Sequence, residues 1–196
     1  EAVEQVDAQM SPWQPESALN QLNRAPVGDW LALPAQILEV LARALEVCRL
    51  SDGAFDPAVG ALVDAWGFGA ACDTPDAEAI RAARNAKRLP TPQALELDLA
   101  AGLARKHSPL QLDLCGIAKG YAVDRMCAVL TGHGVCHALV ALDGELRAIG
   151  PQASGAPWAV ALESPRAGLR AAHGVIELHH PAVAPSRDHP HFVQPR

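Results

Sequence analysis

The chain has 196 residues, of which 49% are hydrophobic and 19% are charged, and its formal net charge at pH 7 is −6. This length and this ratio of hydrophobic to charged residues predict a globular chain with one domain over residues 1–196. They exclude a disordered chain. The acidic charge and the absence of a long basic run exclude general nucleic-acid binding. No stretch reaches the ~18 consecutive apolar residues that a membrane-spanning helix needs.

The five cysteines are an odd number and contain no CxxC pair. This count argues against a disulfide framework or a zinc knuckle, so we expect ordinary small buried residues. The first residue is Glu1 rather than Met, and we therefore expect an upstream segment. The sequence consequently says nothing about a signal peptide or a lipid anchor.

Helices are predicted in the first half of the chain. Glu1 to Met10 is predicted as the end of a helix, because Pro12 and Pro15 follow it. Ser17 is predicted to cap a short helix. From Ala35 to Leu50 the apolar residues recur at helical spacing, which predicts a longer helix.

A further helix is predicted from Thr74 as the cap, with Pro75 at its first position, through Arg88. Alternating apolar residues predict strands at 95–99, 110–114, 136–142, 145–149, 158–163 and 174–178. Asp143-Gly144 lies between two apolar runs, which is typical of a tight hairpin. Hairpin strands mixed with helices predict an α+β fold with a largely antiparallel sheet.

The most informative stretch is Leu112 to Asp124, where a predicted strand is followed by a glycine corner and a helix that runs to about Leu130. The free N–H groups of such a helix start attract an anion such as phosphate, and Lys119 adds a positive charge. The spacing of Gly116 and Gly120 matches neither a Walker loop nor a dinucleotide fingerprint. The alternative is a corner whose glycines only permit close packing.

Two further groups of residues are compatible with either a binding role or a purely structural role. Asp56 precedes Pro57 and is therefore extended, which presents its carboxylate from a loop. Trp66 and Phe68 could flank a flat ring, or could simply cap the core. A histidine cluster near the C-terminus could bind a metal or form a polar tail; its members are His173, His179, His180, His189 and His191.

Four motifs follow one another in an order that is similar to that of a known family. Asp113 to Asp124 is similar to D-L-G-G-I-A-K-G-Y-A-V-D, and Ser51 to Pro57 with the later W-G-F-G is similar to S-D-G-A-F-D-P…W-G-F-G. Ser11 to Asn23 resembles S-x-Y…S…L-N, and Leu142 to Gly150 stands where the family has a glycine pair and D-I-x-A-x-G. Together these motifs resemble the FAD:protein FMN transferases, the ApbE family.

The resemblance implies an ApbE-like α+β enzyme that transfers FMN from FAD to a Ser or Thr hydroxyl of a target flavoprotein and releases AMP. It implies Mg²⁺ as a Lewis acid, with the carbonyl of Gly116 as a metal ligand. It assigns no catalytic side chain here. It also implies the periplasmic side of the inner membrane, with a cytoplasmic location as the alternative. The residues that it implies as FAD contacts are Trp13, Ala54, Phe55, Asp56, Asp113 and Lys119.

The sequence also departs from the family's pattern. Ala184 to Asp188 replaces A-T-S-G-D without its Thr and Gly. In one alignment His191 matches the family's later histidine and Gln194 stands in place of an aspartate, whereas in another His191 falls earlier and that histidine is missing. The side-chain Mg²⁺ ligands of the family would follow Arg196, and Asp143 replaces the first glycine of the pair. We therefore expect FAD binding with little FMN transfer by this chain alone. The alternatives are a non-catalytic FAD-binding module and an inactive family fragment without a ligand.

Overall fold

The computed structural model describes residues 1–70, 74–164, 171–178 and 182–184. Contacts group the chain into two compact units, residues 1–118 and residues 119–196. Helices and antiparallel sheets make up the described residues, which confirms the predicted α+β class. Among the described residues, no helix is long and apolar enough to cross a membrane.

The first unit is rich in helices: α1 Ala2–Met10, α2 Ala18–Arg24, α3 Ala35–Leu50, α4 Gly60–Ala65, α5 Ala77–Asn85 and α6 Thr91–Ala94. The predicted cap of α2 is confirmed, because Ser17 Oγ accepts a hydrogen bond from the Asn20 N–H at 3.2 Å. Helix α3 ends where Gly53, at a φ of +80°, donates its N–H to the Cys48 carbonyl at 2.9 Å. Seven residues of α3 are buried, so this helix provides much of the core of the unit.

The predicted bounds of α5 are wrong at both ends. The carboxylate of Asp76, rather than Thr74, caps the helix by accepting the N–H groups of Glu78 and Ala79. Asx side chains are strong caps because they reach the unpaired N–H groups of the first turn. The helix ends at Asn85, since Ala86 adopts an extended backbone, and Arg88 therefore lies outside it.

A three-stranded antiparallel sheet completes the first unit, with strands in the order β1, β3, β2. The strands are β1 Trp30–Ala32, β2 Leu95–Asp98 and β3 Leu103–Lys106. Strand β2 confirms the strand that the alternating leucines predicted at 95–99, whereas β3 was not predicted. Lys106 at the end of β3 is 4% exposed, and its ammonium donates to the Asn23 carbonyl at 2.7 Å. Burial lowers the pKa of Lys106 from its ordinary value.

The predicted strand at 110–114 is wrong, because these residues form no sheet ladder. The alternation correctly marks the burial of Leu112 and Leu114, which are 1% and 0% exposed. The backbone groups of this segment bond to other partners instead. The side-chain amide of Asn23 donates to the Leu112 carbonyl at 3.0 Å, and its oxygen accepts the Leu112 N–H at 2.8 Å.

The second unit is built on helix α7, which spans Cys115–Gly132 and begins at the end of the first unit. The described strands are β4 Ala138–Leu142, β5 Glu145–Ile149, β6 Trp158–Glu163, β7 Ala172–Leu178 and β8 Ala182–Val183. They form an antiparallel sheet in the order β4, β5, β8 and an antiparallel pair of β6 and β7. The core of this unit includes Val123 and Cys127 of α7 and Val140 of β4.

Two turns in the second unit depend on unusual backbone angles. The predicted hairpin at Asp143-Gly144 is confirmed, with φ values of +47° and +98° between β4 and β5. Gly150 follows β5 at a φ of +57°, and a Cβ there would lie 2.3 Å from the Cys136 carbonyl oxygen. Only glycine fits this position, and its carbonyl accepts the indole N–H of Trp158 at 2.9 Å.

The described residues include four of the five cysteines. Cys48 and Cys127 are buried, as expected of small core residues, whereas Cys115 is half-buried and Cys136 is exposed. Burial is the leading cause that raises the pKa of the Cys48 and Cys127 thiols. Cys72 lies outside the described residues.

We expect Asn23→Ala to lower the free energy of unfolding by about 1–3 kcal/mol, because it removes two hydrogen bonds to the backbone of a buried residue. Urea denaturation would measure this change. Gln21→Ala is the matched control, because Gln21 lies on the same helix and makes only an exposed hydrogen bond. Equal losses for the two variants would contradict the structural role of Asn23.

Candidate functional site

Two loops of the first unit run side by side and are joined through their backbones. The Asp113 N–H donates to the Pro57 carbonyl at 2.8 Å, and the Gly60 N–H donates to the Gln111 carbonyl at 3.0 Å. A Cβ on Gly60 would lie 2.9 Å from that same carbonyl oxygen, so glycine allows this close approach. These contacts bring residues 51–60 and 111–116, which carry two of the sequence motifs, onto one face of the unit.

The ring of Phe55 lies against the start of helix α7. A Cβ placed on Gly116 would be 3.4 Å from Phe55 Cε2, which is ordinary van der Waals contact. Ser51 folds the loop beneath the ring, because its carbonyl accepts the Ala54 N–H and its hydroxyl accepts the Phe55 N–H, both at 3.0 Å. Ala54 is exposed and Phe55 is half-buried. The structure thus brings Phe55, Asp113 and Gly116 together.

Asp56 is held from three sides. Its Oδ1 accepts the Thr91 hydroxyl at 2.6 Å and the Ala58 N–H at 2.9 Å, and its Oδ2 lies 2.5 Å from a guanidinium nitrogen of Arg88. Arg88 also donates to the Thr91 hydroxyl at 2.9 Å, which closes a triangle. Burial by itself raises the pKa of Asp56, but the bonds from Thr91, Ala58 and Arg88 outweigh it, and the pKa lies below its usual range.

This arrangement makes Asp56 a residue that fixes the loop, as well as an expected FAD contact. Arg88 and Thr91 were not singled out in the sequence, because they lie 32 and 35 residues from Asp56 and carry no motif. Thr91 is 2% exposed, so its hydroxyl needs this internal partner. The carboxylate is therefore ionised and immobile at neutral pH.

Asp113 caps helix α7. Its Oδ1 accepts the Cys115 N–H at 2.8 Å, and the Leu114 carbonyl accepts the N–H groups of Ile117 and Ala118 at 2.9 and 2.8 Å. The Asp113 carboxylate therefore already accepts one of the N–H groups at the helix start that were predicted to bind an anion. Gly116 lies exposed in the first turn, beside the Phe55 ring.

Trp13 lies on a turn that α2 fixes. The side-chain amide of Asn20 donates to the carbonyls of Pro12 and Gln14 at 2.9 and 2.8 Å. Asn23 of the same helix binds Leu112, next to Asp113. The Trp13 side chain is 59% exposed, which leaves its ring accessible. Trp66 ends α4 half-buried and Phe68 is 44% exposed, and their predicted ring-flanking role stays a prediction.

Lys119, in the second unit, is paired with carboxylates of a hairpin. Its ammonium lies 3.1 Å from Asp143 Oδ2 and 3.8 Å from Glu145 Oε1 on the β4–β5 hairpin. The neighbouring residues Asp124 and Arg147 form a second helix-to-hairpin ion pair at 2.6 Å. One signal for the Lys119 pair is present in the sequence, namely Asp143 at a hairpin position where the similar family has glycine.

A magnesium site is not formed by the described residues, which contain no group of three or more His, Cys, Asp or Glu side chains suited to a metal. The Gly116 carbonyl alone does not satisfy Mg²⁺, which prefers six oxygen ligands that include a carboxylate. The Mg²⁺ expectation therefore stays a prediction. The described residues include only His173 of the predicted histidine cluster and only Ala184 of the altered C-terminal motifs. The other members of both groups lie outside the described residues.

The two motif loops and the start of α7 thus form one surface on an α+β scaffold, and loops held by a rigid scaffold commonly carry binding residues. The model of the ApbE family matches residues 1–196. Curated relatives include the FAD:protein FMN transferases of Vibrio cholerae serotype O1 and Haemophilus influenzae. They are 33% and 30% identical over 98% and 94% of this chain and over 57% and 55% of their own lengths.

Solved structures of flavin transferases are similar to this chain in both fold and sequence. The flavin transferase ApbE from Vibrio cholerae is 30% identical, with a TM-score of 0.84 over 98% of this chain and 62% of that one. The apo form of the Pseudomonas stutzeri flavinyl transferase ApbE is 34% identical, with a TM-score of 0.76 over 91% of this chain and 56% of that one. The chain belongs to the ApbE family. It spans about half the length of the curated relatives that it matches.

We expect Asp56→Asn to lower the free energy of unfolding at pH 7 by about 1–3 kcal/mol, because the charged carboxylate accepts the bonds of Arg88 and Thr91. The folded pKa is depressed, so this stabilisation is complete above the unfolded pKa of about 3.9 and is lost as the pH falls through the folded pKa. Urea denaturation of wild type and Asp56→Asn would be measured at pH values from roughly 3 to 7. The difference between their free energies of unfolding should shrink as the pH falls.

Asp52→Asn removes an exposed carboxylate from the same loop and controls for the change in net charge. A constant difference between wild type and Asp56→Asn across this range would contradict the ionised network.

Proposed function

We propose that this chain binds FAD on the face formed by Phe55, Asp113 and Gly116, and that this face serves the reaction named for its relatives. The observation that supports the proposal most is the closeness of the Phe55 ring to Gly116, where an added Cβ would lie 3.4 Å from Cε2. It brings together two motifs that resemble those of the FAD:protein FMN transferases. Trp13, Ala54 and Asp56 are proposed as further contacts. The Trp13 ring and Ala54 are exposed on the same unit.

Each proposed contact has a physical task. The flat Phe55 ring offers an apolar surface to an aromatic ring of FAD, and the absence of a side chain on Gly116 leaves room beside it. Asp113 fixes the residue at which helix α7 begins. The N–H groups of the first turn therefore keep one orientation. Lys119, three residues after Gly116, is proposed to pair with the pyrophosphate of FAD.

The proposed reaction is FMN transfer to a Ser or Thr hydroxyl of a target flavoprotein. The hydroxyl oxygen bonds to the phosphorus of the FMN half while the bond to the bridging oxygen breaks, and that oxygen leaves with AMP as the hydroxyl proton is lost. Mg²⁺ would neutralise charge on the pyrophosphate when bound. We also propose a periplasmic location on the inner membrane, with a cytoplasmic one as the alternative, which cell fractionation would distinguish.

A second candidate is a non-catalytic FAD-binding module. One observation favours it: the described residues form no metal-binding group of side chains. Titration calorimetry with FAD, with and without Mg²⁺, separates the candidates. Mg²⁺-strengthened binding supports the transferase, Mg²⁺-independent binding supports the module, and no binding indicates an inactive fragment.

We expect Phe55→Ala to weaken FAD binding by about 1–3 kcal/mol, as the loss of one aromatic stacking partner does elsewhere. Calorimetry would give the dissociation constant, and circular dichroism would confirm that the variant is folded. Leu50→Ala is the matched control, because Leu50 is 78% exposed and closely precedes the same loop. An unchanged dissociation constant for folded Phe55→Ala would exclude the ring from the site.

We expect this chain alone to transfer little FMN, because Gln194 and the altered Ala184 to Asp188 segment lack family side chains. The assay mixes the chain with FAD, Mg²⁺ and a flavoprotein acceptor, then looks for a fluorescent covalent band on a denaturing gel. The acceptor with its target hydroxyl removed is the control. A strong Mg²⁺-dependent band would show that other residues of this chain supply what those positions lack.

A further inference from the structure

The ammonium of Lys119 lies among more negative charge than it neutralises. Asp143 Oδ2 is 3.1 Å away and Glu145 Oε1 is 3.8 Å away, so one positive charge faces two carboxylates. The Lys119 side chain is 40% exposed, which keeps it within reach of a ligand from solvent. The two carboxylates differ greatly in exposure, at 76% for Asp143 and 15% for Glu145.

Asp143 owes its position to the hairpin rather than to Lys119. It adopts a φ of +47°, a left-handed conformation that Asp and Asn tolerate better than most other side chains. The paired residues Leu142 and Glu145 close the turn on both sides. The backbone therefore holds this carboxylate near Lys119, at a position where the similar sequence pattern has glycine.

Glu145 is the fixed member of the cluster. Its side chain is only 15% exposed, so the neighbouring atoms limit its movement, and its Oε2 is buried without a hydrogen bond from the described residues. Asp143 is exposed and forms the closer contact, so it can turn into solvent at a small cost. An exposed ion pair is weak in water because the solvent screens both charges.

We propose that Asp143 is an internal counter-ion that competes with the pyrophosphate of FAD for Lys119. This proposal rests on the proposed function, since it assumes that Lys119 pairs with that anion. Without the ligand, the ammonium is drawn to the hairpin. When FAD binds, the pyrophosphate replaces Asp143, and the affinity is lowered by the energy of the ion pair that is broken.

Asp143→Asn tests this competition, because asparagine keeps the left-handed turn and removes only the charge. We expect the dissociation constant for FAD to fall about two- to fivefold at low ionic strength, which is the range of an exposed ion pair. The gain should shrink at high salt, since screening weakens the pair. Titration calorimetry at two salt concentrations measures both effects.

Two further variants make the result specific. Asp124→Asn is the matched control, because it removes the same charge from the neighbouring pair with Arg147 and leaves Lys119 paired. In a Lys119→Met background, Asp143→Asn should no longer change the affinity, because the competed group is gone. Equal tightening by Asp124→Asn, or tightening that persists without Lys119, would reduce the effect to general charge and overturn the proposal.

The role of Lys119 in the FAD site and the role of Asp143 as its counter-ion are tested by different outcomes. If Lys119→Met leaves the FAD affinity unchanged, or if wild type binds no FAD, the proposed role of Lys119 in the site is wrong. If Lys119→Met weakens binding but Asp143→Asn does not strengthen it, the site stands and the internal counter-ion is wrong. Thermal unfolding of each variant confirms that the hairpin is intact.

Discussion

The first unit depends on how an extended segment outside any sheet satisfies its backbone. Residues 111–113 are bound on one side by the Asn23 side chain and on the other by the backbone of residues 57–60. Unpaired buried backbone groups are costly, so these few bonds decide where the segment lies. The start of helix α7 follows it directly. The position of the proposed ligand face therefore derives from one asparagine and one loop.

Two polar networks in this unit hold charged side chains in place. Lys106 is nearly inaccessible and donates to the carbonyl of Asn23, the residue that binds Leu112 through its side chain. Asp56 has a comparable setting, with Thr91 and Arg88 as its partners. In both cases a charged group is oriented by bonds to rigid elements. Such groups specify one arrangement of the loops, because any other arrangement leaves a buried charge without a partner.

Local signals in the sequence were sufficient where neighbours along the chain determine the structure. The cap at Ser17, the apolar face of α3 and the hairpin at Asp143 depend on a few adjacent residues, and all were predicted. The segment 110–114 was misassigned because alternation reports burial, and only distant residues decide whether a strand lies alongside. The partners of Asp56 were missed for the same reason. They come from elements that no local pattern connects.

The bonds between Asn23 and Leu112 join residues 89 positions apart. A contact across so long a loop costs chain entropy before it is rewarded, and contacts of this kind slow folding. Once closed, the loop is insensitive to its length, since doubling it costs only about 0.6 kcal/mol. Insertions in the intervening connections are therefore compatible with an unchanged ligand face.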